Sequence, residues 1–206
     1  MENLNGSFQN VTAWFIDIRK YTALSNLKSE QVVINFIKEY RNLVSKVFKD
    51  ELNMLSSNIL KIINIGDAVL IVLDNNSLET LKKSIKCSKI IREKMLTLLL
   101  TWQEDTRYTG VPLTYFKKIN FGIGISQGIV YIENDDYIGS PLNHAAKIGD
   151  TRKLSKNNTH IGIDKEIFHQ LDDREIDKDC KCIGYPKDCE YIDLLKFERK
   201  YGEIND

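Results

Sequence analysis

Two aspartates end apolar runs in this chain. In WFIDIRKYTALS, Asp17 follows Trp14-Phe15-Ile16, and in KIINIGDAVLIVLD, Asp67 follows Gly66 between two runs of isoleucine, valine and leucine. Taken singly, each has an ordinary explanation as a cap or a turn residue. As a pair at the ends of buried strands they point to different chemistry. Neighbouring carboxylates repel each other unless a cation lies between them, and hard oxygen ligands suit Mg²⁺ or Mn²⁺.

The elements that must bring the two together follow from the apolar pattern. Val11 to Ile18 predicts a central strand. Ser29 to Phe48 repeats apolar residues at helical spacing through Val32, Val33, Phe36, Ile37, Tyr40, Val44 and Val47, with Ser25 and Ser29 as helix starts. Ile59 to Ile63 and Ala68 to Leu73 predict a hairpin closed by Asn64-Ile65-Gly66-Asp67. A second helix spans about Leu78 to Trp102, and a loop covers Glu104 to Thr114. The stretch INFGIGISQGIVYI predicts two strands joined near Gln127-Gly128, followed by a helix from Asn143 to Leu154 and short strands beyond. This order predicts an α+β fold, a sheet with helices on one face, and not a doubly wound parallel sheet.

Composition narrows the partners. With 206 residues, 42% of them hydrophobic, the chain suits one domain with a substantial core. Its core is expected over about residues 11–154, with C-terminal strands and an extension over 155–206. The 29 basic and 29 acidic residues cancel, so no global field favours nucleic acid or an anionic membrane. The start, MENLNGSFQN, has no basic and apolar signal pattern, and no apolar run approaches the roughly 20 residues of a membrane span; the expected location is the cytoplasm. Cys180, Cys182 and Cys189 lack a fourth ligand at zinc spacing, and reduced thiols are expected. FGIGISQG lacks the dinucleotide-binding glycine order.

FIDIRKYT, KIINIGDAVL, and INFGIGISQG followed by DDYIGSPLNHAAKI occur in the order and approximate spacing of the class III nucleotidyl cyclases. The chain resembles that family from about Val11 to Lys153. The resemblance implies a ferredoxin-like α+β fold, with a mixed or antiparallel sheet and flanking helices. It implies a homodimer with composite sites, a nucleoside triphosphate substrate, and two divalent ions per site, Mn²⁺ or Mg²⁺. Residue by residue, it implies that Asp17 and Asp67 bind metal together with the Ile18 carbonyl. The backbone at Arg19, Lys20, Tyr21 and Thr22 would receive phosphate. Asn143 would orient the ribose, and Lys147, where the family has arginine, would meet charge on the α-phosphate.

The base-reading positions depart from the family. Adenylate cyclases place lysine, and guanylate cyclases glutamate, four residues before the hairpin aspartate; here that residue is Ile63. An isoleucine leaves a purine edge unpaired, at roughly 1 to 3 kcal/mol. Asp136 matches the second base-reading position and can accept from uracil N3–H or from the cytosine amino group; Tyr137 beside it is a candidate for lining the pocket. The chain is thus similar to the stand-alone pyrimidine cyclases of bacterial Pycsar antiphage systems. That implies conversion of UTP, or CTP, to a cyclic nucleotide that activates a separate effector, with UTP favoured by the family. An adenylate cyclase, or a non-catalytic nucleotide-binding module, is the alternative.

Overall fold

The computed structural model describes residues 6–22, 30–51, 59–104, 120–150, 160–168, 170–171 and 189–193. Ser25, Ser29, the loop residues 105–114, Cys180 and Cys182 lie outside them. The elements run β1 (Ser7–Arg19), α1 (Glu30–Glu51), β2 (Ile59–Ile65), β3 (Ala68–Asp74), α2 (Leu78–Glu104), β4 (Asn120–Glu133), β5 (Asp136–Ile138), α3 (Ser140–Gly149), β6 (His160–Asp164), α4 (Lys165–Phe168) and β7 (Cys189–Asp193). One sheet orders them β2-β3-β1-β4-β6-β7, with β5 pairing β4. Every pairing is antiparallel except β4 with β6. The first four strands and two helices form a βαββαβ unit, the ferredoxin-like core with mixed sheet that the sequence predicts.

Alternation along β1 builds two cores. Trp14, Ile16 and Ile18 face α1 and α2, packing with Phe36, Tyr40, Val44, Leu81, Ile85 and Met95. The intervening Val11, Ala13 and Phe15 face the other way and pack with Leu70, Val72, Leu142 and Ala145. The helical stripe predicted for α1 is buried as expected. Trp14, fully buried, needs a partner for its indole N–H and donates to Ser88 Oγ at 2.7 Å.

Two expectations require correction. Helices cover both faces of the sheet: α1 and α2 lie on one, whereas α3 packs on the other against β1 and β4. Residues 120–133 are one continuous strand, not a hairpin about Gln127-Gly128. The glycines of FGIGISQG make room for a helix and do not turn the chain. A Cβ at Gly124 would fall onto the Ala145 carbonyl oxygen and the Gly149 nitrogen of α3. The turn comes at Asn134-Asp135, with φ of 50° and 68°, the left-handed pair of a two-residue hairpin loop. The third helix correspondingly starts earlier than expected, at Ser140, with Pro in its first turn.

Candidate active site

Strand register places the two aspartates at one corner of the sheet. Asp17 faces Ala68 across the β1–β3 ladder, and Asp67 immediately precedes Ala68 in the Gly66-Asp67 loop. Gly66 has φ 59°, the conformation that glycine adopts without a Cβ penalty and that opens many two-residue hairpins. Burial pushes the Asp17 carboxyl up to about 6, helped by the negative charge of Asp67, while Arg19 opposes the shift and Asp150 adds to it. Burial also raises Asp67, against its own backbone hydrogen bond and the positive charges of Arg19 and Arg41.

This donor set suits a hard divalent cation. Burial raises the proton affinity of both carboxylates and the charge of Asp67 adds to that of Asp17, and a cation between them would relieve both the repulsion and the desolvation. Among the described residues no group of three or more His, Cys, Asp and Glu could hold a metal. The protein would therefore offer two carboxylates and a backbone carbonyl, leaving the other positions to phosphate oxygens and water. Ile18 qualifies only through its backbone, because its side chain is sealed in the core beneath α1 and α2.

The segment after β1 is divided in its roles. Arg19 is not free to seek phosphate: it pairs with Asp17 at 3.2 Å, with Asp150, and with the Gly149 carbonyl at the end of α3. Lys20 adopts φ 67°, a left-handed geometry unusual for a residue with a Cβ. It reverses the chain so that Tyr21 packs against the core, leaving Lys20 and Thr22 exposed.

Ile63 and Tyr137 both pack against the α3-side core, so the two candidate base-pocket residues lie on the same face of the sheet. Asp136 is exposed beside them, paired with Glu133 in the β4–β5 ladder. Asn143 and Lys147 are exposed one turn apart on α3, on the same side of the helix. Along β4, Asp17 faces Gly122 and Tyr137 faces Ile132. An ion pair between Lys61 and Asp135 ties the β4–β5 turn back to β2.

Sequence reasoning missed Tyr40, Arg41, Lys61, Asp135 and Asp150. Tyr40 counted only as one residue of an apolar stripe; its hydroxyl, which needs a buried partner, was the available signal. Lys61 stood out as the single charge in an aliphatic strand. Nothing in the sequence marked Arg41 or Asp150.

The adenylate and guanylate cyclase catalytic domain family matches residues 4–180, and the chain belongs to that family. No curated protein matches. Among solved structures, the adenylyl cyclase CyaB from P. aeruginosa is 22% identical with a TM-score of 0.64, covering 91% of this chain and 94% of that one. The guanylyl cyclase Cya2 is 17% identical at TM-score 0.64, covering 91% of each. The monomeric guanylyl cyclase domain of the RhoGC fusion protein from the aquatic fungus Blastocladiella emersonii is 17% identical at TM-score 0.58, covering 91% and 96%. An adenylyl and a guanylyl cyclase thus share this fold equally well, and the choice of base rests on side chains. No described helix is long and apolar enough to cross a membrane.

Proposed function

We propose that this cyclase domain converts UTP to 3′,5′-cyclic UMP and pyrophosphate, working as a homodimer with composite sites. The observation that carries the cyclase chemistry is the register that sets Asp17 beside Asp67. The preference for a pyrimidine is supported by Ile63, which turns an aliphatic side chain toward Tyr137's core and offers a base no hydrogen bond.

Asp17, Asp67 and the Ile18 carbonyl of one protomer would hold two divalent ions. Ions held there would supply activation of the ribose 3′-hydroxyl and neutralisation of charge on the triphosphate. Backbone amides of the Lys20 turn receive phosphate oxygens. From the partner protomer, Asn143 orients the ribose and Lys147 meets the charge that develops on the α-phosphate. The 3′-oxygen forms its bond to the α-phosphorus as the bond to pyrophosphate breaks, and the hydroxyl proton leaves to solvent. Asp136 accepts from uracil N3–H while Tyr137 lines the base.

In the cell, this activity would supply the second messenger of a Pycsar antiphage system, read by a separate effector. The test is incubation of the purified protein with Mn²⁺ and ATP, GTP, CTP or UTP singly, with products identified by mass spectrometry. Cyclic UMP is expected. Cyclic CMP would move the assignment to a cytidylate cyclase, cyclic AMP would overturn the pocket assignment alone, and no product from any nucleotide would favour a non-catalytic module.

A further inference from the structure

Two adjacent side chains of α1 reach the strands that carry the aspartates. Tyr40, fully buried, donates its hydroxyl proton to the Ile16 carbonyl at 3.2 Å. Arg41 donates from its guanidinium to the Gly66 carbonyl. Ile16 precedes Asp17, and Gly66 precedes Asp67. A carbonyl and the next residue's N and Cα belong to one rigid peptide plane. Each contact therefore fixes the plane from which an aspartate springs.

The symmetry matters because the two planes belong to different kinds of backbone. Ile16 lies in mid-ladder, paired with Val69 and Ile123 on its two sides. Gly66 lies in a two-residue loop at the end of β2, with open space where a Cβ would be. A helix that grips both couples the loop to the strand, and neighbouring residues on α1 keep the two grips at a fixed separation.

We propose that Tyr40 and Arg41 are positioning residues that set the spacing of Asp17 and Asp67 for divalent cations. The proposal rests on those aspartates being metal ligands. The competing account of Arg41 is that it merely balances nearby negative charge, and the two accounts differ in sign. Removing a counter-charge would tighten cation binding, whereas releasing the loop would weaken it.

The experiment is Mn²⁺ binding to the full chain, followed by loss of the free-ion electron paramagnetic resonance signal, alongside thermal unfolding. Tyr40→Phe and Arg41→Met should each weaken Mn²⁺ binding roughly 10-fold, and Arg41→Lys, which keeps a donor, should recover most of the loss. Ser88→Ala serves as the control, because it removes a buried helix–sheet hydrogen bond to Trp14 and touches neither the Ile16 nor the Gly66 carbonyl; it should lower the melting temperature without changing Mn²⁺ affinity. Tighter binding by Arg41→Met, or a Tyr40→Phe protein no weaker than Ser88→Ala, overturns the positioning role. Mn²⁺ affinity unchanged by Asp17→Asn overturns the metal assignment itself, and the positioning role with it.

Discussion

Asp17 and Asp67 are neighbours because Asp17 sits across the β1–β3 ladder from Ala68, the residue that follows Asp67. Backbone pairing along seven residue pairs, from Val11↔Asp74 to Asp17↔Ala68, sets that relationship. A one-residue slip would turn Asp17 into the core beneath α1 and α2 and so is strongly opposed.

Asp17→Asn removes a charge that the metal-free fold holds against repulsion. The variant should be more stable than the parent in chelator, by about 1 kcal/mol, the lower range of mutational effects on strained functional sites. Its cyclase activity should fall by more than the roughly 10- to 100-fold expected for loss of an outer-shell partner. Urea denaturation in EDTA and pyrophosphate release check the two halves separately.

Metal-free stability should decline as pH rises. The folded protein holds the Asp17 proton up to about pH 6, whereas an unfolded aspartate releases it near pH 3.9. Between those values the folded state carries the extra proton, so each step upward in pH favours unfolding. Asp67 is shifted in the same direction. Denaturation in EDTA at pH 4 and pH 6.5 should show this contribution as a loss on the order of 1 kcal/mol once solvent screening of a partly exposed carboxyl is allowed for, and saturating Mn²⁺ should reverse the loss at pH 6.5.

Two glycine substitutions should separate room from conformation. Gly124→Ala would drive a methyl into the backbone of α3 and should cost about 1–3 kcal/mol or more, as overpacking does. Gly66→Ala meets nothing within 4 Å but must adopt φ 59°, for about 1–2 kcal/mol. Equilibrium urea unfolding of both variants measures the difference.

Much of this architecture was legible in the sequence, and the misses have physical causes. The α1 stripe and the first hairpin announce themselves because burial imposes periods of 3.6 and 2 on apolar residues. The second hairpin was misplaced because glycine serves two purposes: the same residue type that permits a turn also permits a helix to approach a strand. Gly122 and Gly124 serve the second, while Asn134-Asp135, with no glycine, makes the turn. Of the site, the two aspartates could be read from their place after apolar runs. Tyr40 and Arg41 could not, because their role depends on which carbonyls α1 meets after folding.

Ile63→Lys should redirect base choice. A lysine at this half-buried position should lower stability by about 1–3 kcal/mol unless its ammonium reaches solvent. The ratio of kcat/KM for UTP over ATP should fall about 10-fold or more, as expected when a pocket gains a hydrogen-bonding group. Steady-state kinetics on the four nucleotides provide the check.

Lys147 should be replaceable only by another cation. Lys147→Ala should lower kcat by roughly 10²- to 10³-fold, the loss typical of one group that stabilises transition-state charge. Lys147→Arg should retain or raise kcat, because a planar fork meets phosphate oxygens bidentately. Single-turnover rates distinguish the two, and residue 147 is exposed, so neither substitution disturbs the core.

The seat of α3 on Gly122 and Gly124 has an evolutionary consequence. A helix with no clearance beneath it tolerates little drift, so the elements bearing the phosphate chemistry are locked to the centre of the sheet. The residues proposed to meet the base belong to β2, which is an edge strand, and to β5, which lies off the main strand path. Peripheral strands have fewer paired neighbours for a substitution to disturb than central ones do. A lineage built on this plan can exchange one nucleobase for another while its catalytic apparatus stands still.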